Sequence, residues 1–405
     1  MWLYNICIVV YAALIRLVSP LYPKARKWCD GRRDMPERLR SSIVKGEDVV
    51  WVHVASLGDF EQGRPVVDYI KENYPNYKIL LTFFSPSGYE VRKNYKNADY
   101  VFYIPVDTKR KVSQFLDIVE PKVAIFVKYE FWLNMLMELR RRNIRTFIVS
   151  AIFRRNSIFF NPFGAIWRRA LGAFETLFVQ DEHSKQLLSN IGVTNVIVAG
   201  DTRFDRVANI AESAERVAVV EAFKGNKSLF VAGSTWGADE KILLPLIKAN
   251  PDIKFVIAPH EMEESRIEYI LRETRAVRYT QCESVDFADK QVLVLDTVGL
   301  LSRVYGSADW AYIGGGFGVG IHNTLEAVVY GLPVAFGCKY KKYKEACDLI
   351  EFGVARSVRD ERSLQRWFAE VQDATLRAKI GSIARQYVNA NRGATERFVE
   401  AIFRH

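Results

Sequence analysis

The chain has 405 residues, 49% of them hydrophobic, which is enough for sizeable cores in two or three domains and excludes a disordered chain. Its formal net charge of +10 fits an anionic partner such as a phosphorylated substrate, a membrane surface or nucleic acid. Five scattered cysteines (Cys7, Cys29, Cys282, Cys338, Cys347) without a CxxC read as free thiols, and five histidines without HExxH or a His/Cys cluster exclude a protein metal site.

The first 20 residues, MWLYNICIVVYAALIRLVSP, are apolar except for Asn5, Arg16 and Ser19, and Lys24, Arg26, Lys27, Arg32 and Arg33 follow. A signal peptide carries its charges before the apolar core, and here they come after it. Residues 1–22 therefore read as a membrane anchor, either a marginal span or a helix lying in the interface, with the basic flank cytoplasmic. The other reading is a buried amino-terminal helix.

From residue 48 on, apolar runs alternate with amphipathic stretches. Strands are expected at 49–55, 78–84, 100–105, 122–127, 145–151, 175–179 and 195–199, with helical patterns at 61–73, 109–119, 131–142 and 182–191. Continuous apolar strands separated by helices indicate a parallel sheet covered on both faces. The pattern restarts with strands at 228–232, 254–258, 291–295, 309–313 and 333–336. The expected architecture is α/β, with two doubly wound Rossmann-like domains, 23–205 and 227–405, joined by a polar linker at 206–226 and enclosing a cleft.

In the first half, the strand in VVWVHVASLGDFEQGRP ends beside two acids, Asp59 and Glu61. A carboxylate there is either a general base or a helix cap. Thr82, Ser85, Ser87 and Gly88 end a second strand, Lys128, Tyr129 and Glu130 a third, and Arg154 and Arg155 follow a fourth. These polar residues converge on one sheet edge, as an acceptor site requires. The basic runs Arg140–Arg142 and Lys339–Lys344 read as solvated faces, with lipid phosphates as the functional alternative.

In the second half, Gly233-Ser234-Thr235-Trp236-Gly237 and Ala258-Pro259-His260-Glu261 each end a strand. A third strand runs into a loop with Gly314, Gly315, Gly316, Gly318 and Gly320, and a helix is expected from Asn323 to Gly331. Such glycines let the backbone approach a phosphate, and a helix start supplies free N–H groups. Asn323 and Glu326 have capping-box spacing, and His322 shares a helix face with Glu326.

Taken in order, these elements resemble the 3-deoxy-D-manno-octulosonic acid (Kdo) transferases of lipopolysaccharide synthesis. The resemblance spans nearly the whole chain: Gly31-Arg32-Arg33, Glu37-Arg38, Ser56-Leu-Gly-Asp59, the 82–88 element, Gly200–Asp205, Gly233-Ser-Thr235, Asp296-Thr297 and the 314–337 segment. It implies GT-B architecture and an inverting, metal-free transfer of Kdo from CMP-Kdo to a hydroxyl of the tetra-acylated lipid A precursor, lipid IVA. No cofactor is implied. The enzyme would sit on the cytoplasmic face of the bacterial inner membrane, on anionic lipids, with no nucleic-acid partner. The family places a Glu after its S-x-G element, where this chain has Asp59, so the resemblance implies Asp59 as the base or, two residues on, Glu61.

Donor contacts implied are Ser234, Thr235, His260, Gly315, Gly316, Gly318, His322, Asn323 and Glu326. Acceptor contacts implied are Ser56, Gly58, Arg64, Ser85, Ser87, Lys128, Glu130 and Arg154. The chain departs from the family in three places. Glu130-Phe-Trp132-Leu133 lacks a proline, Ala258-Pro259-His260 lacks an arginine that Arg266 is placed to replace, and Gly320-Ile-His322-Asn323 replaces Gly-His-Asn. The alternatives are another GT-B transferase, such as a lipid A disaccharide synthase or a peptidoglycan GlcNAc transferase, and a non-hydrolysing sugar-nucleotide epimerase.

Overall fold

Seven parallel strands form the first sheet because each is a short run of β-branched and aromatic residues with no polar face. They are β1 (Val49–Val54), β2 (Lys78–Phe83), β3 (Tyr100–Tyr103), β4 (Val123–Val127), β5 (Arg145–Ala151), β6 (Thr176–Val179) and β7 (Val196–Val198), in the order β3-β2-β1-β4-β5-β6-β7. The computed structural model describes all residues except Ala214, Ser284, Val319 and His405. Side chains of β1 alternate between two cores. Trp51 packs with Leu80, Ala124 and Phe126 on one face, while Val50, Val52 and Val54 pack with Ile79, Leu81 and Ile125 on the other.

The second sheet is also seven-stranded and parallel. Its strands are β8 (Leu229–Thr235), β9 (Lys254–Pro259), β10 (Ala276–Arg278), β11 (Val292–Val294), β12 (Trp310–Ile313), β13 (Val334–Phe336) and β14 (Ala355–Ser357), in the order β10-β11-β9-β8-β12-β13-β14. The strands expected from the sequence are all present. The two edge strands, β10 and β14, were not expected. Each is only three residues long and includes an arginine, which leaves too little pattern to see.

In each sheet the strand order reverses at a central pair: β1 beside β4 in the first, β8 beside β12 in the second. Ligands of open α/β sheets bind at the carboxyl ends of such strands. The segments that follow β1 and β4 carry Ser56, Asp59 and Lys128, and those that follow β8 and β12 carry Trp236 and Gly314–Gly318. Three non-glycine residues at these edges, Lys128 (φ 68°), Ser150 (φ 52°) and Ser234 (φ 53°), hold the left-handed conformation, which costs about 1–3 kcal/mol each and is typical of functional sites.

The chain divides into two units, Met1–Arg206 with the residues from Arg392 on, and Val207–Asn391. This corrects the expected boundary at the carboxyl end. Phe398, Val399 and Ile402 of helix Ala394–Phe403 are buried in the first unit's core, and Arg145 donates to the Ile402 carbonyl at 3.0 Å. The stretch expected as a linker, 206–226, is largely helical, within Thr202–Ser213 and Ala218–Lys224. Asp205 fixes the returning segment by accepting from Gly393 N (2.5 Å), Thr395 N (2.8 Å) and Thr395 Oγ1 (2.7 Å). Asp205→Ala leaves these donors unpaired and should cost about 2–4 kcal/mol. Urea unfolding with limited proteolysis checks this: unchanged stability and no new cleavage near residue 392 would refute the docking role.

The amino-terminal segment forms helix Trp2–Val18, and no helix among the described residues is long and apolar enough to cross a membrane. Its Tyr4 hydroxyl donates to buried Asp107 at 2.5 Å, and Asn134 Nδ2 donates to Asn5 Oδ1 at 2.8 Å. Arg32 ties the following helices to the sheet. It donates to the carbonyls of Phe84 and Ile104 at 2.9 Å and lies 4.0 Å over the Trp28 ring. Burial pulls its guanidinium down to about 9. Gly31 is required there, because a Cβ would lie 2.0 Å from the Tyr103 ring.

Candidate active-site edges of the two units

In the first unit, β1 ends at Val54 and Ser56 is the N-cap of helix Leu57–Asn73, so the helix starts four residues earlier than its apolar pattern suggested. The cap delivers Asp59 to the sheet edge. Ser56 Oγ donates to Asp59 Oδ2 at 2.6 Å, and Lys128 Nζ, from the end of β4, lies 3.4 Å from Oδ1. Asp59 is therefore part of the cap and part of the edge at once. A carboxylate offers about four acceptor sites, so capacity remains for a substrate hydroxyl. Lys128 Nζ is also 3.3 Å from the buried Gln62 amide oxygen, in the orientation that satisfies both groups.

Glu61 is placed differently. Its two oxygens take Arg92 at 3.1 Å and Arg206 at 2.8 Å. Of the expected acceptor contacts, Ser56 and Lys128 join Asp59, and Gly58 lies in the same first turn of the helix. Tyr129, half exposed, stands among Arg154, Arg203 and Asp59; burial raises its hydroxyl and the two arginines oppose that rise. Glu130 turns to a buried chain. Its Oε2 lies 2.9 Å from His53 Nε2 and accepts from Trp132 Nε1 at 2.7 Å, while His53 Nδ1 meets Thr82 Oγ1 at 2.9 Å.

Arg64 pairs with Asp68 at 3.3 Å, along its own helix. Ser85 caps helix Pro86–Arg92 and meets Ser87 Oγ at 2.9 Å. The sequence did not single out His53 and Gln62, which lie beside the acids but are buried under the strand and helix that carry them.

In the second unit, β8 and β12 run so close that their loops are backbone against backbone. Asp239 ties them together, with Oδ1 accepting from Tyr312 OH (2.7 Å) and Oδ2 from Gly315 N (2.9 Å) and Trp236 N (2.8 Å). Thr235 is fully buried and its hydroxyl donates to Glu240 at 2.9 Å, which leaves Ser234 as the outward hydroxyl of the pair. Arg266 is likewise committed, to Glu240 (2.8 Å) and the Thr235 carbonyl (2.8 Å). Asp239 and Glu240 were legible only as three- and four-residue offsets from Trp236, an ordinary helix start.

The helix expected from Asn323 to Gly331 is a single turn, Leu325–Val328, with Thr324 at its N-cap. Asn323 does not form the expected capping box. Its Oδ1 accepts from Leu325 N at 3.2 Å and its Nδ2 donates to Glu326 Oε1 at 3.1 Å. One turn has little dipole, so any anion here is met by individual N–H groups of the glycine loop.

Three aromatic rings close this edge. Trp236 Nε1 donates to His322 Nε2 at 3.1 Å with the ring planes within 9° of parallel, and His260 stacks on both, 4.9 Å from Trp236 and 4.1 Å from His322. Burial, then the neighbouring His260, lowers His322 from 6.5 to about 4. The unfolded chain therefore takes up a proton between these values that the folded chain refuses. Stability should be full above about pH 6.5 and fall as the pH drops toward 4. Urea midpoints between pH 7.5 and 4.5 measure this, and His322→Asn should flatten the slope; an unaltered slope would assign it elsewhere.

Two Rossmann-like units, each with polar groups gathered at a strand-order reversal, define an α/β protein of GT-B-like fold. Among solved structures, the fold resembles UDP-GlcNAc 2-epimerase from Neisseria meningitidis bound to UDP-GlcNAc (TM-score 0.63, 17% identity, 88% of this chain and 100% of that one). A family model described as 3-deoxy-D-manno-octulosonic-acid transferase (Kdo transferase) matches residues 33–206. A 3-deoxy-D-manno-octulosonic acid transferase from Haemophilus influenzae is 23% identical over 367 residues, 87% of this chain and 86% of that protein. A bifunctional glycosyltransferase/methyltransferase from Fusobacterium nucleatum is 27% identical over 316 residues, 73% of this chain, which spans only 48% of that protein. The chain is thus similar to Kdo transferases, in its first half to the family model and over most of its length to the Haemophilus influenzae protein.

Proposed function

We propose that this protein transfers Kdo from CMP-Kdo to a hydroxyl of a lipid A precursor, lipid IVA, with inversion. The observation that carries the reading is the Asp59 carboxylate at the β1/β4 reversal, held by Ser56 and Lys128 with acceptor capacity to spare. Asp59 takes the proton of the attacking hydroxyl as its oxygen bonds to the anomeric carbon. The bond from that carbon to the phosphate breaks, and CMP leaves with the electron pair. Glu61, whose oxygens both carry guanidinium groups, orders the helix start rather than reacting. Ser234, His260, the glycine-loop N–H groups, His322, Asn323 and Glu326 form the donor site. No metal or cofactor enters this scheme.

The acceptor is a lipid, and the first helix supports work at an anionic membrane surface on the cytoplasmic side. Trp2, Leu3, Val9, Leu14, Leu17 and Leu21 are exposed, and Lys24, Arg26 and Lys27 follow. Such a helix lies in the interface. Leu14→Glu with Leu17→Glu leaves the Tyr4–Asp107 tie intact and should reduce flotation with anionic vesicles several-fold; unchanged flotation rejects the interfacial helix. The activity is tested by incubating the protein with CMP-Kdo and lipid IVA and weighing the products. A mass gain of one or more Kdo residues is expected. Turnover of UDP-GlcNAc instead would favour a different GT-B transferase or an epimerase.

A further inference from the structure

The hydrogen-bonded Trp236–His322 pair decides which ring nitrogen of the histidine carries the hydrogen. The indole N–H is a donor only, so the Nε2 it meets at 3.1 Å must be an acceptor. A neutral imidazole with a bare Nε2 carries its hydrogen on Nδ1. The ring cannot turn over without losing this bond, and Gly315 lies against the same Cδ2–Nε2 edge: a Cβ there would be 3.0 Å from Cδ2 and 3.2 Å from Nε2. The Nδ1 edge points the other way, and no hydrogen bond from it is found among the described residues.

We propose that Trp236 is a positioning residue that locks His322 as the neutral Nδ1–H tautomer, presenting a single preset donor to an anionic oxygen of the bound nucleotide sugar. The proposal rests on the donor-site reading above for its ligand, but not for the tautomer. A donor fixed before binding is not lost to reorientation or to competition from water, which is how fixed dipoles aid a developing anion. His260 reinforces the lock by stacking over both rings, 4.9 Å and 4.1 Å away.

The charged and titratable groups around the pair are consistent with a neutral ring. Arg266 stands 5.7 Å over the Trp236 ring, and Asp239 is occupied by Tyr312, Gly315 and Trp236 backbone or hydroxyl donors. His260 is itself pushed down by burial, with Glu261 opposing and Arg266 assisting. A proton on Nε2 would set two N–H groups against each other, so protonation and the Trp236 bond exclude one another.

The ligand oxygen is either the phosphate or the sugar carboxylate, and two probes separate them: CMP carries only the first and free Kdo only the second. Full-length protein with ¹⁵N-labelled histidine, assigned by the loss of one ring in His322→Asn, should show the Nδ1–H pattern for His322 at pH 7. The shift of Nδ1–H on adding CMP or Kdo names the partner. Trp236→Phe keeps an aromatic ring beside His260 but shortens it and removes the indole N–H. It should return His322 to a mixture rich in Nε2–H, move its titration upward, and raise KM for the donor about tenfold with a smaller change in kcat. An Nε2–H pattern in the unaltered protein overturns the proposal, as does a Trp236→Phe variant with the same tautomer and KM. If the tautomer is as stated but no Kdo is transferred, the lock stands and the functional reading falls.

Discussion

Asp59→Asn should lower Kdo transfer by about 10²–10⁴-fold while leaving CMP affinity and thermal stability near those of the unaltered protein. The amide keeps the shape of the side chain and still accepts from Ser56 Oγ, the contact that holds it at 2.6 Å. What it loses is the ability to take a proton. The contrast is Glu61→Gln, which leaves Arg92 and Arg206 without their shared carboxylate. That change should lower stability by about 1–3 kcal/mol, with activity falling only as far as the fold does. Single-turnover assays and thermal melts on both variants decide the matter. Full transfer by Asp59→Asn, with transfer abolished in a still-folded Glu61→Gln, would move the base to Glu61.

The second large effect is at Gly314. A methyl group there would lie 2.1 Å from the Ser234 carbonyl oxygen and 2.6 Å from Thr235 Cα, so two backbone segments would have to separate. Gly314→Ala should destabilise the second unit by about 3 kcal/mol, the upper end of ordinary overpacking, and abolish CMP binding. Gly318→Ala is the informative partner. Its Cβ would be 3.6 Å from the nearest neighbour, the Gly315 carbonyl, an ordinary contact. It should fold normally and weaken CMP binding alone, because only a ligand needs that space. Melting and CMP titration of the two variants test the distinction. A stable, binding-competent Gly314→Ala would mean the loops are free to part.

The five glycines illustrate how far the sequence could be read. Their cluster pointed to the donor edge, yet the reasons for them differ. Gly314 and Gly316 are required by close backbones, and Gly315 (φ 90°) and Gly320 (φ 138°) by left-handed geometry. Only Gly318 has neither reason. A sequence gives the count and not the cause. The strands were legible because buried parallel strands are continuously apolar, and the position of Asp59 followed from the strand that precedes it. The pairing of Asp59 with Lys128 was not legible, since it depends on β4 lying beside β1, 69 residues further along the chain.

The tautomer lock was hidden for the same reason. Trp236 and His260 follow the ends of β8 and β9, His322 lies in the loop after β12, and the three meet only once the sheet is ordered. The single-turn helix after Asn323 was misjudged because its apolar pattern continues into Val329 and Tyr330, which form a turn beyond the helix end.

The return of helix Ala394–Phe403 to the first unit has a bearing on synthesis. A ribosome completes the seven strands of the first sheet by residue 198, but Phe398, Val399 and Ile402 of that unit's core are still unmade. The first unit to emerge is thus the last to close. During translation of the whole second unit, an apolar face of the first sheet stays open, and nascent chains stalled between residues 206 and 394 should be clients for chaperones.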